Sequence, residues 1–316
     1  MRFGGMTFAH REGFFVRCEG AAGIGVGEVA PLPGVHRESV DECLAALAAW
    51  SGDDAPALVD RWPPSLAFGV SVALALAAGE PILSRPLRQA VGVNELAIDG
   101  AMPSATARTV KVKVGRGAIE DERRHLEAIL RERPNARLRI DANRALTLES
   151  AKRLFDGLDP ARIDYLEEPL ATPLELPALH FATGLSIALD ESLHEAAHRA
   201  ALETAPGVVA HVVKPTLIGS IRALRARAER TARQQLRTTV TSTFESGYTL
   251  WVLARLVTWL PNAQGDHGLG TAGMLLDDPA DSPAVEDHAI ATGVPAPAIR
   301  VPFVALAKGG AVDERR

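Results

Sequence analysis

From about residue 95 onward, short apolar runs alternate with charged stretches that keep a helical period, and this predicts strands and helices in turn. The runs are Val110–Val114, Leu138–Ile140, Ile163–Leu166, Ser186–Leu189, Val208–Val213 and Thr238–Thr241, with amphipathic stretches such as Glu120–Arg133 and Glu149–Leu158 between them. Strands and helices in regular alternation predict parallel βα units. Earlier residues follow another pattern. Phe14–Cys18 and Ile24–Val29 read as the two strands of a hairpin around Gly20 and Gly23, Pro31-Leu32-Pro33-Gly34 reads as a turn, and Arg37–Trp50 and Ser65–Ala78 read as Ala- and Leu-rich helices. The expected organisation is an α+β unit over residues 1–95 and a βα unit over 96–289. The tail of about 290–316, rich in Pro and Ala and without a clear period, is expected to fold back onto the first unit.

Each apolar run from Val110 to Lys214 contains or ends in a charge that a strand interior should not want. These are Lys111 and Lys113 in VKVKV, Asp141 in RLRIDAN, Glu167 in IDYLEEP, Asp190 in SIALDES and Lys214 in HVVKP. From Lys113 to Lys214, successive members lie 23 to 28 residues apart, the length of one βα unit. That spacing puts one charged side chain at the same height on five consecutive strands, and in a closed βα barrel this height is the C-terminal rim that carries catalysis. Three carboxylates meeting there repel one another unless a cation joins them. An all-oxygen ligand set with open positions suits Mg²⁺, with Mn²⁺ as the alternative. A buried ammonium near other cations has a lowered pKa and can act as a base, and a metal can hold the enediolate formed when a proton leaves beside a carboxylate.

Each residue also has an ordinary structural explanation. Asp141-Ala142-Asn143 fits an Asx turn, Asp190 can begin a helix, and Lys111 and Lys113 can line a solvated strand face. Regular spacing is what separate explanations do not account for.

Composition narrows the class further. At 316 residues and 47% hydrophobic, the chain can bury one large barrel or a barrel plus a smaller domain. A net charge of −5 excludes a general nucleic-acid binder, and the Arg-rich stretch Arg222–Arg237, without interleaved aromatics, reads as a solvated helix face. Cys18 and Cys43 are too few for a disulfide framework or zinc cluster and read as free thiols. The start, MRFGGMTFAHREG, has no secretory apolar core. The uncharged stretch Trp62–Gly79 is shorter than the roughly 20 apolar residues that span a bilayer. A cytoplasmic protein is expected. His36, His125, His194, His198, His211 and His267 show no metal-ligand spacing and read as surface or satisfied core residues, with His211 facing away from Lys214. No dinucleotide fingerprint or Walker motif occurs.

With these residues in view, KVKVG, RIDANRA, YLEEP, LDES and VVKPTLIGS together resemble the muconate-lactonizing subgroup of the enolase superfamily. GVGEVAPLPG and PPSLAFGVSVALA extend the likeness across the first unit. The resemblance implies a (β/α)7β TIM-like barrel under a smaller α+β capping domain. It is nearest to the branch that dehydrates 2-succinyl-6-hydroxy-2,4-cyclohexadiene-1-carboxylate to o-succinylbenzoate in menaquinone biosynthesis. It further implies that Asp141, Glu167 and Asp190 bind Mg²⁺, and that Lys113 takes the α-proton and returns a proton to the leaving hydroxyl. It places Lys214 on the other side of the substrate and implies that Lys111 lowers the pKa of Lys113 and contacts the substrate carboxylate. On the same resemblance, Asn143, Glu168 and Glu191 are expected to support this set or to serve as cap or surface residues, and Thr241 and Gly268 are expected to contact the succinyl carboxylate. The expected partner is a small-molecule carboxylate, with neither nucleic acid nor membrane.

The sequence departs from the family pattern in three places. The family's first strand is expected to be shortened or absent here or the start to be mis-assigned, Thr241 stands where Ser is common, and HGLGT stands where relatives often read GLDT. Two other readings use the same site. One is an N-acylamino acid racemase or dipeptide epimerase, although Gly265-Asp266-His267-Gly268 lacks the Asp-x-Asp of the epimerases. The other is a non-catalytic metal-binding barrel, which has no need of both Lys113 and Lys214.

Overall fold

A computed structural model describes residues 2–3, 6–7, 10–50, 59–98 and 100–301. Arg2–Phe3 and Met6–Thr7 form a short antiparallel pair, and the expected tail beyond residue 301 lies outside the described residues. The hairpin forms from Phe14–Gly20 and Gly23–Val29, paired from Phe14↔Val29 to Gly20↔Gly23. Helix Val40–Ala48 opens on a capping box in which Ser39 and Glu42 satisfy each other's backbone N–H. Helix Pro64–Ala78 begins with Pro64 in its first turn and ends at Gly79, whose φ of 69° is the left-handed cap that a Cβ disfavours. This helix lies directly on the hairpin because Gly25 and Gly27 carry no side chain. A Cβ at either position would overlap the backbone carbonyls of Ala73 and Gly69.

Seven strands then form one wholly parallel sheet in chain order: Glu95–Ala97, Thr109–Lys113, Arg137–Asp141, Ile163–Glu167, Ile187–Leu189, Val208–Val213 and Arg237–Val240. The helices Ile119–Glu132, Leu148–Phe155, Leu176–Thr183, Ala196–Leu202 and Ile221–Arg233 lie between successive strands. One strand face, including Val110, Val112, Leu138, Ile140, Leu166, Ile187, Leu189 and Val213, joins helix residues such as Leu126, Ile129, Leu154, Phe155, Leu179 and Leu224 in the main core. Alternate residues Tyr165, Ala188, Ala210 and Val212 form a separate small cluster, as the period of two requires. Asp266–His267 touches both edges of the sheet. The N–H of Gly268 donates to Val240 O at 2.8 Å, and that of Asn94 donates to His267 O at 3.0 Å.

The short strands Ala90–Val93 and Ala289–Ala291 and the helix Gly247–Val257 are among the elements outside the sequence expectation. Ala90–Val93 pairs in parallel with Asp266–His267 and antiparallel with Ala289–Ala291, and runs this short carry no readable period. Helix Gly247–Val257 is buried along its whole length, so it shows no polar stripe. Its Trp251 Nε1 and Arg255 Nη2 both donate to Val294 O, which anchors the described part of the tail. Among the described residues, no helix is long and apolar enough to cross a membrane. Cys18 and Cys43 are free.

Two histidines are buried core groups. His211 bonds Thr231 Oγ1 and Glu203 O on the helix side, and His267 Nδ1 accepts from the N–H of Val240. By contrast, His36 is bonded only at Nδ1, and its buried Nε2 has no partner among the described residues. Burial pushes His211 down to about 4 and His267 down to about 3, from an ordinary 6.5. The unfolded chain therefore binds more protons below pH 6.5, so stability is expected to fall progressively as pH drops from 6.5 toward 3. Urea midpoints at pH 7, 5 and 4 check this. His267→Gln should flatten the decline, and an unchanged slope would remove His267 from the account.

Candidate metal centre

The sheet brings the sequence-expected charges to one end. Lys113, Asp141 and Glu167 are the last residues of their strands, paired Lys113↔Asp141 and Asp141↔Glu167, and Asp190 and Lys214 directly follow theirs. All three carboxylates are buried, and the three lysine side chains are nearly so. Lys111 Nζ donates to both Glu167 oxygens at 2.8 Å and lies 2.8 Å from Asp141 Oδ2. Lys113 Nζ donates to Asp141 Oδ2 at 2.5 Å and Asn143 Oδ1 at 2.7 Å, and Lys214 pairs with Asp190 Oδ2.

The carboxylates do not meet at a single point. Among the described residues, no three acidic, imidazole or thiol groups form a ready metal cage, and ammonium groups pair with these carboxylates. The donor set nevertheless fits a hard cation. It is all oxygen, it comes from three adjacent strand ends, and Asp190 Oδ1 and Glu191 Oε2 are buried without a hydrogen-bond partner among the described residues.

Charge distribution follows from this pairing. Burial pushes Glu167 up to about 7, and the neighbouring Asp141 charge adds to the rise. Burial acts on Asp141 in the same sense, but the ammonium groups of Lys111 and Lys113 overcome it and hold that carboxyl well below the usual range. Burial raises Asp190 against the opposing charge of Lys214, and it raises Glu191. Burial opposes the charged forms of Lys111 and Lys214, yet Asp141 and Glu167 hold Lys111 well above the ordinary lysine range, and Asp190 and Glu191 hold Lys214 above it.

The supporting residues are tightly bonded. Asn143 Nδ2 donates to Glu191 Oε1 at 3.1 Å, and the N–H of Asn143 closes the expected Asx turn onto Asp141 Oδ1 at 2.9 Å. Glu168 accepts from the N–H groups of Asp190 and Ser192, from Ser192 Oγ, and from Arg144 Nε at 3.0 Å. Asn143, Arg144 and Glu168 all have positive φ, a cluster of uncommon backbone conformations beside the site. Glu191 to His194 is a 3₁₀ turn with Asp190 at its start, so the ordinary helix-start explanation also holds in part.

Thr241 and Gly268 are bridge partners next to the Lys214 strand, and the N–H of Thr241 donates to Val213 O at 2.9 Å. A Cβ on Gly268 would come within 2.8 Å of Thr241 Cβ and closer still to its hydroxyl. Gly268→Ala is expected to destabilise the fold by about 1–3 kcal/mol. An unchanged urea midpoint would show that Thr241 can turn aside without cost.

Sequence reasoning missed Glu28 and Glu245. Glu28 is buried and accepts from the N–H and Oγ of Ser246 and from Thr249 Oγ1 at 2.6 Å, where helix Gly247–Val257 begins. Burial raises its pKa, with Arg11 opposing the rise. The signal was available, since Glu28 is a charge inside an apolar strand run like those on the rim.

Comparisons with known proteins extend over both units. A family described as Enolase C-terminal domain-like matches residues 90–293, and one described as MenC, N-terminal domain matches residues 4–77. The o-succinylbenzoate synthase of Citrobacter koseri is 36% identical over 283 residues, 84% of this chain and 84% of that protein. The crystal structure of o-succinylbenzoate synthase from Thermosynechococcus elongatus BP-1, with Mg in its active site, is similar at a TM-score of 0.65 and 27% identity, covering 83% of this chain and 88% of that one. Muconate cycloisomerase from Pseudomonas fluorescens shares the fold at a TM-score of 0.76 and 20% identity, over 90% of this chain and 91% of that one.

Proposed function

The chain belongs to the o-succinylbenzoate synthase family of the enolase superfamily, and from that membership we propose that it dehydrates 2-succinyl-6-hydroxy-2,4-cyclohexadiene-1-carboxylate to o-succinylbenzoate, a step of menaquinone biosynthesis. The observation that carries this reading beyond family membership is the placement of Lys113 and Lys214. Their ammonium groups pair with Asp141 and Asp190, on opposite sides of the Glu167 strand.

In this reading, Asp141, Glu167 and Asp190 hold Mg²⁺, or Mn²⁺ in its place. A cation bound there supplies positive charge against the enediolate that forms at the substrate carboxylate. Lys113 takes the α-proton and returns a proton to the hydroxyl on the same face, so that the C–O bond breaks, water leaves and the ring becomes aromatic. Lys214 steadies the enediolate from the opposite face, and Lys111 contacts the substrate carboxylate. Asn143 orients Lys113 through the 2.7 Å bond, Glu191 braces Asn143, and Glu168 holds the Asp190–Ser192 turn. Thr241 and Gly268 receive the succinyl carboxylate.

The same reading closes the parallel sheet through Asp266–His267 into a (β/α)7β barrel over residues 96–289, with residues 1–95 as its capping domain. The hydrogen bonds from Gly268 to Val240 and from Asn94 to His267 support the closure. Offering the cyclohexadiene substrate and N-succinyl amino acids to the same preparation tests the assignment. A higher kcat/KM for the cyclohexadiene is expected, and a higher value for the amino acids would make the chain a racemase.

A further inference from the structure

Glu245 is a buried carboxylate outside the metal site, and its bonds join the loops after two neighbouring strands. Oε1 accepts from Thr216 Oγ1 at 2.9 Å and from Thr243 Oγ1, and Oε2 accepts from the N–H of Thr243 at 2.6 Å. The two threonine hydroxyls lie 3.0 Å apart. Thr216 stands two residues after Lys214, in the turn Pro215–Ile218 whose first bond runs from the N–H of Leu217 to Lys214 O at 2.9 Å. Thr243 stands two residues after Thr241. One side chain therefore sets the spacing between the loop that carries Lys214 and the loop that begins at Thr241.

Two further observations bear on this loop. Phe244, between Thr243 and Glu245, has a φ of 62°, which is uncommon for a bulky residue and persists only where the surroundings hold it. Arg11, from the segment leading into the hairpin, donates through Nη1 to Thr243 O at 2.5 Å while its Nε donates to Ala30 O at 3.0 Å. The hairpin side of the molecule thus grips the carbonyl of the residue that Glu245 holds from the other side.

We propose that Glu245 is a positioning residue that fixes the Lys214 turn against the Thr241 segment, and that Arg11 couples this clamp to the capping unit. The assignment rests on the dehydratase reading for what Lys214 and Thr241 do, whereas the clamp itself rests on hydrogen bonds alone. Loosening the Lys214 side affects turnover, because displacing a reacting group by about 1 Å costs up to about 100-fold. Loosening the capping side affects substrate binding, because Arg11 holds Thr243, two residues along the chain from Thr241.

The test uses the full chain with Mg²⁺. Glu245→Gln and Thr216→Val are each expected to lower kcat about 10-fold, with the double variant no worse than Glu245→Gln alone. Arg11→Met is expected to raise KM about 10-fold with kcat within about twofold, and Arg11→Lys to recover part of that loss. A readout independent of turnover is the acetylation rate of Lys214 relative to half-exposed Lys152, which pairs with Glu149 on a helix away from the site, followed by peptide mass spectrometry. It should rise several-fold in Glu245→Gln and Thr216→Val. If the parent protein does not turn over the cyclohexadiene, the dehydratase reading fails and the Lys214 rate still decides the clamp. An unchanged Lys214 rate in both variants overturns the clamp, as does fully additive loss in the double variant.

Discussion

Lys113→Ala is expected to lower kcat for dehydration by about 10²–10⁴-fold, the range that removing a general acid–base group produces. Lys113 ends its strand opposite Asp141 and is bonded to both Asp141 and Asn143. Lys111, on the same strand face, is engaged by Glu167 and Asp141, and Lys214 belongs to Asp190 on the far side. Lys113→Arg separates proton transfer from charge. A guanidinium keeps the positive charge but does not deprotonate, so this variant should be as slow as alanine. Lys214→Arg should retain more activity than Lys214→Ala if that residue acts through its charge. Single-turnover rates with thermal midpoints check both comparisons. Full activity in Lys113→Ala would end the proposed mechanism.

Glu167→Gln is expected to weaken Mg²⁺ binding by more than about 100-fold and to reduce turnover at least in proportion, since even losing a group that only supports a metal ligand costs 10–100-fold. Glu167 lies between Asp141 and Asp190 in strand order, buried, with both oxygens directed to Lys111. Glutamine keeps the shape but supplies a neutral donor in place of an anionic oxygen. It also leaves Lys111 with Asp141 as its remaining carboxylate among these three. Titration calorimetry with Mg²⁺ and the Mg²⁺ dependence of turnover give the two numbers. Unchanged affinity would remove Glu167 from the ligand set.

The rim was legible because strand interiors exclude charge, so Asp141, Glu167 and Lys113 stand out against their apolar neighbours at a regular spacing. What the spacing did not show is how these charges pair. Height on a barrel says nothing about whether an ammonium lies between two carboxylates, and Lys111 does. The short strand Asp266–His267 has no period of its own and was placed by the resemblance alone, and helix Gly247–Val257 was hidden because burial on every side erases the polar stripe. Arg11 and Thr243 are separated by 232 residues and meet only in the folded chain. Nothing in a sequence window marks either of them, whereas Glu28, a charge within an apolar strand, carried the same kind of mark as the rim.

In the proposed mechanism, Asp141, Glu167 and Asp190 hold a divalent cation on which Lys113-driven dehydration depends. The direct measurement is the rate of o-succinylbenzoate formation from the cyclohexadiene substrate by the purified chain, before EDTA treatment, after it, and after Mg²⁺ is restored. Turnover is expected to be lost with EDTA and recovered with Mg²⁺. Undiminished turnover in the EDTA-treated protein would contradict that mechanism.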